Sequence, residues 1–166
     1  MTSTMCSELR EAPQAVARAL LQDEALYADL VRELNGRAST SWLTLARGSS
    51  DHASAYLAYL LMARLGRIVT SLPLSLLTLY EAPIRAIDVT AIAMSQSGAS
   101  PDLVLPMRQL GVGGACTVAF VNDITSELAR AARWAVDLRA GPELSVAATK
   151  SFIAQLLAGA RIVQGL

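Results

Sequence analysis

The sequence predicts an α/β protein: a three-layer α/β/α sandwich around a five-stranded parallel sheet, preceded by N-terminal helices. Three observations lead there. Short apolar runs suited to strands alternate with longer segments whose apolar residues recur at helical spacing. The runs are apolar at successive positions, as strands covered on both faces must be. Polar turns containing glycine join the runs to the helices that follow, the connection a parallel sheet requires. The chain has 166 residues, 53% of them hydrophobic, enough to fill one domain-sized core.

The elements follow in order. Over residues 7–35, Val16, Leu20, Leu21, Leu26, Leu30, Val31 and Leu34 recur at helical spacing and predict two helices packed on the outside. The sheet domain then takes residues 37–166, with 1–36 as a helical segment packed against it. Strands are expected at 41–46, 67–71, 87–94, 115–121 and 135–138. Helices are expected at 50–65 and 101–110, and a closing helix at about 146–164. Met94 and Met107 read as core. No repeat, low-complexity tract or Pro/Gly-rich linker marks a further domain.

Composition narrows the function. Fourteen basic residues balance fourteen acidic ones with no basic run, which argues against a nucleic-acid partner. Thirteen of the fourteen cations are arginines, and Lys150 is the only lysine. Cys6 and Cys116 have no metal-ligand spacing and suit a reducing interior. No apolar segment approaches membrane-spanning length, and Glu8, Arg10 and Glu11 stand where a signal peptide needs its apolar stretch. The expectation is a cytoplasmic protein without membrane, metal or cofactor.

The most informative stretch is Ser95-Gln96-Ser97-Gly98-Ala99-Ser100-Pro101-Asp102, at the end of the central apolar run. A helix start carries unpartnered N–H groups and the positive end of the macrodipole, and hydroxyls from Ser95, Ser97 and Ser100 would complete an anion site there. Gly98 permits a positive φ, and Pro101 suits the first helical position, where its missing N–H costs nothing. A second such turn, Arg47-Gly48-Ser49-Ser50-Asp51-His52, follows the first run. In open parallel sheets ligands sit beyond the carboxyl ends of strands, so two turns at neighbouring strands would face one pocket. A small phosphorylated ligand is the expectation. Each residue also has a plainer reading. Ser50 could serve as an N-cap and Asp51 as a favourable first-turn charge. His52, without a second histidine, reads as structural. Glu143 reads as a turn residue after Gly141-Pro142, and Glu8 and Glu11 as facing solvent or a partner chain. Lys150, near the start of the closing helix, opposes the macrodipole and calls for a nearby anion.

Five stretches in order resemble the SIS (sugar isomerase) domain family, in particular the first of two such domains in the isomerase half of glucosamine-6-phosphate synthase and in related deaminases and phosphosugar isomerases. They are Glu8 with Glu11 and Pro13, residues 46–53, 95–102, 121–130 and 140–150. The resemblance implies that Ser95, Gln96, Ser97 and Ser100 hold a sugar phosphate, that Gly48, Ser49 and Ser50 reach the sugar, and that Val146 borders it. Glu143 and Lys150 lie in a signature segment, and as catalytic candidates they carry no assigned step. The resemblance also implies a homodimer.

The departures shape the rest. The family's base, ring-opening histidine and late lysine come from a second SIS domain and tail that this chain is expected to lack. The opening Met1-Thr2-Ser3 lacks the synthase's second-position cysteine, and Arg47, Asp51 and Ser145 differ from the synthase's usual residues. These point to an amino-sugar phosphate deaminase or isomerase acting on a hexose or hexosamine 6-phosphate. The chain alone is then expected to bind sugar phosphate weakly or not at all and to lack turnover, since isomerisation needs a positioned base. Two alternatives stand beside it: a single-domain sugar-phosphate sensor, and an autonomous isomerase that builds its site across an oligomer interface.

Overall fold

A computed structural model of the protein describes residues 3–21 and 24–166. Met1 and Thr2 of the opening, and residues 22 and 23 within the expected N-terminal helical stretch, lie outside it. Where two N-terminal helices are predicted there are three: α1 (Thr4–Arg10), α2 (Ala12–Leu20) and α3 (Glu24–Gly36). Pro13 explains the first break, because it cannot donate to the carbonyl four residues back and its ring would collide with it.

The chain then alternates: β1 (Ser41–Leu45), α4 (Ser49–Leu65), β2 (Val69–Ser71), α5 (Ser75–Thr78), β3 (Val89–Ser95), α6 (Pro101–Val112), β4 (Cys116–Val121), α7 (Glu127–Ala131), β5 (Trp134–Asp137) and α8 (Lys150–Gly165). All strand pairs are parallel, in the order β2-β1-β3-β4-β5. The expected strands are all present with shifted ends. The third begins at Val89 instead of residue 87, because Asp88 takes a φ of 64° that breaks extended backbone. The short helices α5 and α7 are additions to the expected list. The closing helix starts at Lys150, four residues later than expected, for a reason given below.

Side-chain alternation divides the sheet between two cores. Trp42, Ile92, Met94, Cys116, Val118, Phe120 and Val136 face α3, α4 and α8. Leu45, Ala91, Ala93, Ala119 and Val121 face α5, α6 and α7. The second face is built largely from alanine, which lets the shorter helices approach closely. Met94 and Met107 are fully buried, as expected. The N-terminal helices pack on α8, where the Arg161 guanidinium lies 4.0 Å over the Tyr27 ring and donates to the Ala19 carbonyl at 2.7 Å. Among the described residues, no helix is long and apolar enough to cross a membrane.

Candidate functional site

β1 and β3 are adjacent, so the turns at their carboxyl ends open on the same side of the sheet. Between them lies a cavity of about 280 Å³, lined by Arg47, Gly48, Ser49 and Ser50 from one turn and Ser95, Gln96, Ser97 and Ser100 from the other. The segment before α8 closes it with Glu143, Ser145, Val146 and Ala148. This size sits just below the range of about 300–1,000 Å³ usual for drug-sized ligands, and it suits a monosaccharide derivative.

The 95–100 turn orders itself. The Gly98 amide donates to Ser95 Oγ at 3.0 Å, and the Ala99 amide to Ser97 Oγ at 3.3 Å. Each hydroxyl thus spends a lone pair on the backbone and keeps its proton to donate elsewhere. Ser100 occupies the N-cap position of α6 without a side-chain cap bond, and Pro101 follows at the first turn. Gly98 has a φ of +62°, and a Cβ there would lie 2.1 Å from Ser126 Oγ. The turn therefore requires glycine on both backbone and steric grounds.

The first turn is built differently. Gly48, with φ 58° and ψ −133°, caps α4, so Ser50 is a buried first-turn residue and not the cap. Its Oγ accepts from Gln155 Nε2 at 2.9 Å, which ties the turn to α8. Arg47 Nη2 donates to Asp102 Oδ2 at 2.5 Å, joining this turn to the first turn of α6. His52 is exposed on α4 and does not line the cavity.

The third wall changes the readings of Glu8 and Glu143 and gives Glu11, which stays exposed, a partner. Glu8, read as facing solvent or a partner, is buried and accepts from the Leu144 amide at 2.5 Å, the Ser145 amide at 3.2 Å and the Ser145 hydroxyl. The Leu144 amide first, then Ser145 and the Lys150 charge, hold its carboxyl below the ordinary glutamate range. Glu11 accepts from Lys150 Nζ, whose side chain is only 2% exposed, and so supplies the anion that the lysine's position demanded. Glu143 accepts from the Thr149 amide at 2.9 Å, the Thr149 hydroxyl at 2.7 Å, the Ser151 amide at 3.3 Å and the Ser151 hydroxyl. Burial works against its charge, yet these donors outweigh it and keep the carboxyl below its usual value. They also explain the late start of α8. With Glu143 taking the N–H groups of Thr149 and Ser151, residues 146–149 are held as an irregular approach and the helix begins at Lys150.

All the expected phosphate and sugar contacts line one cavity: Ser95, Gln96, Ser97, Ser100, Gly48, Ser49, Ser50 and Val146. Of the two catalytic candidates, Glu143 lines it and Lys150 is sealed behind the wall. Arg47 and Ser145 also line it; both are departures from the synthase pattern, and Arg47 opens the second turn. No grouping of three or more His, Cys, Asp or Glu side chains able to hold a metal occurs among the described residues.

Comparison with known proteins agrees with this architecture. The SIS domain family model matches residues 37–163. The chain is 35% identical over 156 residues to the isomerizing glutamine–fructose-6-phosphate aminotransferase of Sulfolobus acidocaldarius, covering 92% of this chain and 25% of that protein. The structure of a candidate phosphosugar isomerase from Silicibacter pomeroyi DSS-3 superposes with a TM-score of 0.94 at 40% identity, covering 99% of this chain and 50% of that one. The Vibrio vulnificus NanR protein complexed with ManNAc-6P shares the fold, with a TM-score of 0.82 at 20% identity over 95% of this chain and 60% of that one. The chain thus spans about a quarter of the length of the curated relatives it matches. Matched over most of its length by the family model, and carrying the five-stranded parallel sheet with its glycine-hydroxyl turns, the chain belongs to the SIS domain family.

Proposed function

We propose that this SIS domain holds the phosphate end of a hexose or hexosamine 6-phosphate for aldose–ketose isomerisation or the related deamination. The observation that carries the reading is the convergence of two glycine-hydroxyl turns from adjacent strands on one small cavity. The monoester lies against Gln96 and the hydroxyls of Ser95, Ser97 and Ser100, whose protons are free of backbone acceptors. The sugar extends past Gly48, Ser49 and Ser50 towards Val146. The Silicibacter pomeroyi relative, 40% identical, supports the phosphosugar isomerase class, and the sugar-phosphate complex of NanR supports the ligand class. The domain division at residues 36 and 37, a homodimer and a cytoplasmic setting belong to the same proposal.

The lining residues position the substrate. Moving a proton between C1 and C2 needs a base. Glu143, the one carboxylate on the wall among the described residues, has its oxygens taken up by the start of α8. We assign it the upkeep of that wall, and the base comes from outside this set. Binding energy at the nonreacting phosphate fixes the carbon chain in register for it.

Titration of the isotope-labelled chain with fructose 6-phosphate and glucosamine 6-phosphate, followed by NMR, tests this. Amides of residues 95–100 and 48–50 should shift with the phosphate esters, unphosphorylated fructose and glucosamine should leave them unmoved, and no turnover should appear. Ser97→Ala should weaken binding about tenfold, since a hydrogen bond to a charged group contributes about 1.5 kcal/mol or more. Equal responses to the phosphorylated and free sugars would overturn the reading.

A further inference from the structure

We propose that Arg47 selects the doubly charged form of the phosphate, acting from a clasp with Asp102 that spans the two ligand-facing turns. This rests on the sugar-phosphate reading above. Arg47 and Asp102 are 55 residues apart in sequence, yet Arg47 Nη2 lies 2.5 Å from Asp102 Oδ2. Their pairing joins the turn after β1 to the first turn of α6. Arg47 is the one cation lining the cavity among the described residues, and the 95–100 turn facing it offers only neutral donors.

Charge at the rim explains why a cation belongs there. Glu143 lines the wall and Asp102 stands at the first turn of α6. Without Arg47 both would oppose an incoming dianion. The two clasp side chains are 62% and 44% exposed, and an ion pair that open to water is weak, so the guanidinium is readily shared. A guanidinium carries five N–H donors in a planar fork. It can keep one edge on Asp102 while presenting another to phosphate oxygens. Asp102 thus acts as a positioning residue, holding the fork over the cavity before the ligand arrives and reducing the ordering cost of binding. Serine hydroxyls accept either ionisation state of a phosphate monoester, whereas a cation favours the dianion.

The test is a titration of the chain and its variants with fructose 6-phosphate at pH 5 and pH 7.5, on either side of a second phosphate ionisation near about 6. The other ionisable groups around the rim are Asp102 on α6, Glu143 before α8, and Asp51 and His52 at the start of α4. The wild-type chain should bind about tenfold tighter at the higher pH, and Arg47→Met should lose about tenfold there while its pH dependence collapses. Asp102→Asn should weaken binding about threefold and keep the pH dependence, because the cation remains but is no longer pinned. His52→Gln, which changes an exposed rim residue that does not line the cavity, should reproduce the wild-type profile. Retention of the pH dependence by Arg47→Met would overturn the proposal. So would recovery of wild-type affinity in the Arg47→Met/Asp102→Asn double variant, which would mean that Arg47 only masks Asp102. Equal binding of fructose 6-phosphate and unphosphorylated fructose by the wild-type chain would instead remove the sugar-phosphate reading beneath it.

Discussion

The 95–100 turn and the 139–149 segment border the same cavity and are both irregular, but they are ordered by opposite means. In the first, the side-chain bonds run two and three residues along the chain, from the Ala99 amide to Ser97 and from the Gly98 amide to Ser95, while the Gln96 and Gly98 carbonyls accept from the Asn122 and Leu128 amides. In the second, beside the local bonds that Glu143 takes from Thr149 and Ser151, many come from far away. Arg18 donates to the Arg139 and Ala140 carbonyls, Asn122 brackets Ala140 and Gly141, and Glu8 takes the amides of Leu144 and Ser145 from 136 and 137 residues off. One turn keeps its side-chain bonds within itself. The other is only as well placed as the N-terminal helices that hold it, so a helical segment remote from the ligand sets the shape of the third wall.

The self-ordered turn should break at Gly98 with the largest effect. An alanine there combines a positive φ with a Cβ 2.1 Å from Ser126 Oγ and 2.5 Å from its Cβ. Backbone strain and overpacking together should cost about 3 kcal/mol or more, a fall in Tm of about 6 to 12 °C for a chain this size. Gly48 makes the useful contrast: its φ is +58°, yet nothing lies within 4 Å of a Cβ. Gly48→Ala should therefore cost only the strain, about 1 to 2 kcal/mol. Equal thermal shifts for the two variants would show that contact with Ser126 is not what makes Gly98 the stricter position.

The same contrast explains what could be read from the chain beforehand. The central strands β3 and β4 were legible because apolar runs buried on both faces leave a mark at every position, and the 95–100 turn because Gly98, Pro101 and three serines act within seven residues. Glu8 and Glu11 carried no such mark. A glutamate on a short helix looks the same whether it meets water or a buried loop, and their partners lie more than 130 residues downstream. The start of α8 differs for a nearer reason: the N–H groups of Thr149 and Ser151 are taken by Glu143, six and eight residues back across an irregular stretch. One clue was present: Lys150 sits where a cation is unfavourable, and the structure answers it with Glu11. The Arg47–Asp102 clasp, joined across 55 residues, likewise had no local signature.

Smaller effects should follow from loosening the second region. Asn122→Ala removes a side chain that donates to the Gly141 carbonyl at 2.8 Å and accepts from the Ala140 amide at 2.8 Å. Leaving those backbone groups unpaired should cost about 1 to 2 kcal/mol, lowering Tm by about 2 to 8 °C. Glu8→Gln keeps the size of the side chain but can no longer present two charged acceptors to the Leu144 and Ser145 donors. Hydrogen exchange at those two amides should accelerate, while Gly98 and Ala99 keep their protection, because their acceptors are in their own turn. Faster exchange in both regions would mean that they form one cooperative unit and that the division between them is false.

The smallest effect sharpens the comparison through pH. Glu143 has a folded-state ionisation held below the ordinary value of 4.5, with burial opposed by the donors of Ser151 and Thr149. A depressed carboxyl contributes stability that is fully present above the unfolded value and is lost as pH falls through the folded one. Wild-type Tm should therefore decline on acidification below about pH 4.5, and Glu143→Gln should start lower at neutral pH and decline less steeply. Glu8, which holds the same segment from α1, is shifted in the same direction, so a Glu8→Gln/Glu143→Gln variant should flatten the acid limb further. Ser95 and Ser97 do not titrate in this range, and the 95–100 turn should be indifferent to it. Amide shifts followed from pH 6 to pH 3 should move first in residues 143–151 and leave Gly98 and Ala99 in place until the whole chain unfolds. Early movement at Gly98 would show that acid reaches the cavity through both walls, and that the 95–100 turn depends on the clamped segment for its order.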